Sequence, residues 1–144
     1  CGKSELRAEP GLNADFPHLL IGFRSKYVLN SFGHNLPVLK KKSGTTNPAH
    51  LHPADLAALG IEDDDEVQIA SAHGQISAIV KADAKIKPGV IAMHHCWGLS
   101  PDKQGSVREN GANTNLLVSS ESDTQRYTGM TRSSSIPVRI KKSA

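Results

Sequence analysis

The densest group of chemically able side chains is His94-His95-Cys96-Trp97-Gly98, directly after the apolar run Val90-Ile91-Ala92-Met93. Strand ends are where a rigid scaffold presents polar groups, so this loop is a candidate site. Histidine and cysteine are the usual zinc ligands, and His50 and His52 could join them. The spacing argues otherwise. Adjacent residues on extended backbone point to opposite faces, so His94 and His95 can hardly share one ion. Neither C-x-x-C nor H-E-x-x-H accompanies them. Cys96 beside a histidine could form a nucleophile pair, but chain neighbours rarely have that geometry and no third, orienting group is evident. Asp63-Asp64-Asp65 sits at a helix-to-strand turn and reads as a solvated knuckle rather than an acid–base pair. These groups predict no catalytic residue and no protein-bound metal.

A second group, Gly22-Phe23-Arg24-Ser25-Lys26, carries different chemistry. Glycine at the end of a short apolar run, followed by Arg, Ser and Lys, offers backbone N–H groups beside fixed positive charge. That combination grips an oxyanion or phosphate. Arginine brings a planar donor fork and lysine a point charge. The same residues also describe an ordinary basic turn in water. Asn30, Asn35, Asn110, Asn113 and Asn115 add neutral donors and acceptors, although singly each is more often a turn former.

The elements that must position these groups are short. His18-Leu19-Leu20-Ile21 reads as a buried strand stopped by Gly22, and Tyr27-Val28-Leu29 as a second strand or a loop. Residues 30–47 read mostly as loop. Pro53, Asp55 and Gly60 bracket a two-turn helix, with Ile61 folding back onto its last turn. Val67, Ile69 and Ser71 alternate with polar neighbours, His73-Gly74 makes a turn, and Ile76, Ala78, Val80 and Ala82 alternate again. That pattern is a hairpin with one buried face. After the Pro88-Gly89 turn, residues 90–93 suit a central strand. Residues 98–111 read as a long surface loop, 115–118 as a short strand or turn, and Ile136, Val138 and Ile140 as a closing strand. Six or so short strands, one or two short helices and long loops predict a mostly-β domain, a barrel or sandwich.

Composition bounds the function. The 144 residues have room for one domain with a core, assigned to residues 16–144 behind an N-terminal tail or linker at 1–15. Seventeen basic residues against 14 acidic ones suit attraction to phosphates without specifying any. The basic residues are scattered, with runs only at Lys40-Lys41-Lys42 and Lys141-Lys142, and aromatics are 4% of the chain. Nucleic-acid readers concentrate charge and interleave aromatics, so no nucleic-acid partner is expected. No apolar run approaches the ~18 residues of a membrane-crossing helix, and no membrane partner is expected. Cys1 and Cys96 cannot build a disulfide framework. A reducing, cytoplasmic setting is expected, with a periplasmic one open if a signal lies outside this chain.

Taken in order, the pieces resemble one family. Gly22-x-Arg24 follows a strand, and Asn47 precedes His52-Pro53-Ala54-Asp55-Leu56-Ala57-Ala58-Leu59-Gly60-Ile61. An acidic turn, Val67-Gln68-Ile69, a Gly74 hairpin, Lys87-Pro88-Gly89-Val90 and His95-Cys96-Trp97-Gly98 come next. Asn113-Thr114-Asn115-Leu116 and Pro137-Val138-Arg139-Ile140 complete the set. Over residues 16–141 this resembles the molybdopterin dinucleotide-binding domain, the C-terminal domain of dimethyl sulfoxide reductase-type oxidoreductases. The resemblance implies a six-stranded double-psi β-barrel that closes over a molybdenum or tungsten cofactor, molybdopterin guanine dinucleotide, held only in the complete enzyme. It implies that Gly22, Arg24, Ser25, one of Asn30 and Ser31, His94, His95, Cys96, Trp97, Asn115 and Arg132 contact that cofactor. It further implies that the catalytic domains or subunit of the same oxidoreductase are the partner and supply any protein ligand to the metal. The non-Met start favours a fragment of a larger enzyme over a separate small subunit. Two rival readings stand beside it: a non-enzymatic double-psi barrel that recognises a protein partner, and a small metal-dependent hydrolase built on His50, His52, His94 and Cys96.

Overall fold

A computed structural model describes residues 13–34, 36–99, 105–122, 124–125 and 127–143, so Asn35 and most of the expected tail lie outside the described residues. Six strands close into a barrel: β1 (His18–Phe23), β2 (Ala49–Leu51), β3 (Glu66–Ala70), β4 (Gln75–Ala82), β5 (Val90–His94) and β6 (Ile136–Lys142), in the order β1-β5-β2-β4-β3-β6. β1 runs parallel to β5 and β2 parallel to β4; the remaining neighbours are antiparallel. Exchanging β1, β2, β3 for β4, β5, β6 returns the same ring with the same strand directions. This internal two-fold is the pairing scheme of a double-psi barrel, and the expected mostly-β, six-stranded fold is what the chain adopts.

Alternation builds the core. Leu20, Leu51, Val67, Ile69, Val80, Ile91, Met93 and Val138 are each at most 1% exposed and point inward from all six strands. Among the described residues, closure gives every strand a neighbour on both sides and leaves no free sheet edge.

The expected helix is α2 (Pro53–Leu59). Proline opens it, His52 Nδ1 accepts a hydrogen bond from the Ala54 N–H, and Gly60 closes it in the left-handed region at φ 65°. The Ile61 N–H then reaches the Leu56 carbonyl at 3.0 Å, and the Ile61 side chain is buried, as the cap motif requires.

Elsewhere local reading and fold part company. β2 lies inside a stretch that reads as the approach to α2, because three residues among His and Pro carry too little alternation to register. Its Ala49 and Leu51 are wholly buried, paired to Val80 and Ala82. Residues 27–29 form no strand, only an isolated bridge from Leu29 to Phe32. The nominal loops hold α1 (Pro37–Ser43) and α3 (Val107–Asn110), and Thr114–Leu117 is a 3₁₀ turn.

The aspartate run is more than a solvated knuckle. Asp63 Oδ1 accepts from the Ala82 N–H at 2.6 Å, Asp64 pairs with Arg108 at 2.9 Å, and Asp65 with Lys142 at 2.7 Å. The Lys142 ammonium and then the Glu62 N–H hold the Asp65 carboxyl below the usual carboxylate range.

Candidate functional site

The two-fold gives the barrel two sites where parallel strands end side by side. At the carboxyl ends of β2 and β4 the chain is plugged: the Asp83 N–H donates to the Leu51 carbonyl at 2.8 Å, Asp63 caps Ala82, and α2 starts two residues on. At the carboxyl ends of β1 and β5 the connections swing outward instead. They leave a cavity of about 320 Å³, lined by Leu20, Gly22, Phe23, Arg24, Met93, His95, Cys96, Thr114, Asn115, Val118, Ser133 and Ser134. Ligands in sheets with parallel strands gather beyond carboxyl ends.

Five of the residues singled out from the sequence meet here: Gly22, Arg24, His95, Cys96 and Asn115. The pairing of Gly22 with Met93 puts the two turns abreast. A Cβ on Gly22 would find only the Ser133 carbonyl oxygen, at 3.9 Å, so its absence keeps the mouth open rather than relieving strain. Among the described residues no carboxylate lines the cavity; its polar groups are a guanidinium, an imidazole, a thiol, a carboxamide and three hydroxyls. That donor set suits an anionic ligand.

The other expected contacts are placed differently. Asn30 is not a lining residue but contacts two that are, its Oδ1 lying 3.3 Å from Arg24 Nη1 and 3.3 Å from His95 Nε2. Ser25 Oγ accepts from the Tyr27 N–H at 3.2 Å and so shapes its own turn. Ser31 and Trp97 line a second cavity of about 280 Å³, which shares Cys96 with the first. Cys96, which borders both, sits in the left-handed region at φ 64°. His94 alternates away from His95 and stacks edge-on to Phe23 at 3.9 Å, with the His50 ring 6.5 Å off. Burial, then the neighbouring His50 and His95, hold its pKa below 6.5. Arg132 lines a third cavity of about 300 Å³ with Ser71 and Ser119; Val118 separates it from the first, so Arg132 does not join the group.

The hydrolase reading loses its ligand set. His52 is committed to capping α2, His50 faces Asp83 at 3.6 Å, and Cys96 opens elsewhere. Among the described residues, no group of three or more His, Cys, Asp or Glu could hold a metal ion.

Sequence reasoning missed Thr114, Ser133 and Ser134 as lining residues, since they sit in tracts without period. It also passed over Asn47 as a builder of the site. Asn47 is 1% exposed; its Nδ2 donates to the carbonyls of His94 and Ala112 at 2.7 and 3.0 Å, and its Oδ1 accepts from the Ala112 N–H. The sequence carries little signal for it, because Asn47 before Pro48 reads as a turn former and the strand it precedes is itself too short to register.

The family model described as "Molydopterin dinucleotide binding domain" matches residues 19–136, a span that contains every residue lining the first cavity. The chain belongs to that family. Curated proteins are similar to parts of it: dimethyl sulfoxide reductase DmsA of Escherichia coli (strain K12) is 30% identical over 91 residues, covering 63% of this chain. Trimethylamine-N-oxide reductase of Salmonella typhi is 33% identical over 64 residues, covering 44% of it. The chain spans 11% and 8% of the lengths of those two relatives. Acetylene hydratase from Pelobacter acetylenicus superposes with a TM-score of 0.75 at 20% identity, over 94% of this chain and 19% of the hydratase, and so shares the fold of the molybdopterin dinucleotide-binding domain.

Proposed function

We propose that the cavity at the carboxyl ends of β1 and β5 holds part of a molybdopterin guanine dinucleotide, in a molybdenum or tungsten oxidoreductase of which this chain is one domain or subunit. The observation that carries the reading is the convergence of Gly22, Arg24, His95, Cys96 and Asn115 on one cavity that, among the described residues, no carboxylate lines. Arg24 supplies fixed charge to a phosphate, and Asn115 and the hydroxyls of Thr114, Ser133 and Ser134 supply neutral donors and acceptors. Leu20 and Met93, both buried, form a dry floor.

The cofactor, when bound, supplies the redox chemistry; this chain's residues bind, orient and exclude water. A cavity of about 320 Å³ is at the small end for even a drug-sized ligand, so it cannot enclose a whole pterin dinucleotide. The remainder is covered by a catalytic body, which the far greater length of the two reductase relatives supports.

Titrating the ¹⁵N-labelled chain with GDP tests this. Shifts centred on Gly22, Arg24, His95 and Asn115 are expected, with Arg132 and the α2 cap silent. No shift at any of those four residues would overturn the proposal.

A further inference from the structure

The two turns that lie abreast at the first cavity are joined by the Asn30 carboxamide. Asn30 is held in the left-handed region at φ 53°, and its Oδ1 meets both Arg24 Nη1 and His95 Nε2, each at 3.3 Å. A guanidinium can only donate, so the Asn30 atom facing Arg24 must be the oxygen; a turned carboxamide would set N–H against N–H. His95 meets that same oxygen. A carboxamide oxygen only accepts, so His95 must offer Nε2 as an N–H. A neutral imidazole carries a single ring proton, and with it on Nε2 the Nδ1 is left as an acceptor. Arg24 and His95 both line the cavity. One of the residues lining it, His95, then carries an acceptor nitrogen as well as a donor, so the lining groups are not donors alone.

We propose that Asn30 is a positioning residue: acting through Arg24 and His95, it fixes the imidazole as the Nε2–H tautomer and makes this wall an edge matched to a ligand that has an N–H beside an acceptor oxygen. A bare phosphate needs no acceptor, whereas an amide-edged ring such as guanine or a pterin does. The choice of ligand rests on the cofactor-holding reading above; the tautomer does not.

Ring ¹⁵N spectra of the full chain without ligand, at about pH 8.5 and so well above the ordinary imidazole pKa, read the tautomer directly. The wild-type chain is expected to show a pyrrole-like Nε2 and a pyridine-like Nδ1 at His95. Asn30→Gly keeps the left-handed turn but removes the carboxamide, and should give a mixture of tautomers. Asn30→Asp restores an acceptor oxygen and should restore Nε2–H. Arg24→Ala, which does not touch His95, should also give the mixture, because the carboxamide is then free to turn. An Nδ1–H tautomer in the wild-type chain, or an Asn30→Gly spectrum like the wild type, would overturn the proposal.

The ligand half is read by calorimetry with GDP and with inorganic pyrophosphate. Asn30→Gly should weaken GDP several-fold more than pyrophosphate; equal weakening removes the amide-edge assignment. If GDP fails to bind the wild-type chain, the cofactor reading falls while the tautomer result stands.

Discussion

Asn47 and His94 lie 47 residues apart, yet the Asn47 carboxamide donates to the His94 carbonyl at 2.7 Å and bonds both the carbonyl and the N–H of Ala112. One buried side chain thus ties the loop after β5 to the segment that leads to Asn115.

Replacing Asn47 with alanine removes its bonds to the buried carbonyl and N–H of Ala112 and to the part-buried carbonyl of His94. The expected loss is about 2–4 kcal/mol of unfolding free energy, measured by urea denaturation. A loss below about 1 kcal/mol would show that the knot is dispensable.

Arg24 is exposed, and its hydrogen bond from Nη1 to Asn30 is long at 3.3 Å. Arg24→Ala should leave the melting temperature within a few degrees of wild type while weakening GDP binding about tenfold, as loss of a charge-assisted contact predicts. A chain that unfolds instead would make Arg24 structural.

Two glycines, Gly22 at the first cavity and Gly98 at the second, should behave oppositely. Gly98 sits at φ 81°, and a Cβ there would come within 2.4 Å of the Asn113 backbone nitrogen. Gly98→Ala should therefore lower stability by several kcal/mol, the sum of backbone strain and a backbone clash. Gly22→Ala meets nothing closer than 3.9 Å and should fold normally. Its added methyl narrows the cavity mouth, so ligand affinity should fall without a change in melting temperature; thermal melts paired with calorimetry decide both.

His18, His50 and His94 all have pKa values lowered from 6.5, in each case chiefly by burial. The unfolded chain therefore binds more protons than the folded one just below that value, and stability rises with pH through this window. The urea midpoint should fall as pH drops from about 7.5 through 6.5 toward the lowered values, with no further loss from these groups below them. His94→Gln should flatten part of the slope, and a midpoint constant across the window would contradict the burial argument.

α1 buries none of its residues and has no side-chain cap at its N-terminus. Around it Leu29, Phe32, Leu36 and Val38 are each more than half exposed. A seven-residue helix so poorly packed is marginal in water. Its amides should exchange with solvent orders of magnitude faster than those of β4, which loses protection only on global unfolding. Equal protection in the two elements would mean that α1 is covered in solution.

What the chain determines locally it announces. The alternation at Val67–Ile69 and Ile76–Val80 and the Pro53, Asp55 and Gly60 signals of α2 depend on near neighbours, and those elements appear as read. Chemical types were equally legible: Arg24, His95 and Asn115 have the donors that an anionic ligand needs. Grouping was not. Whether Asn30 reaches His95, 65 residues away, depends on β1 and β5 pairing in parallel across everything between them. The same closure brought Ser133 and Ser134 to the cavity, sent Arg132 to the far side of Val118 and turned His94 outward. Hydrophobic period reports which face of an element is buried, never which other element it meets. Only ring closure of six strands, a set of long-range pairings, decided which loops share a wall.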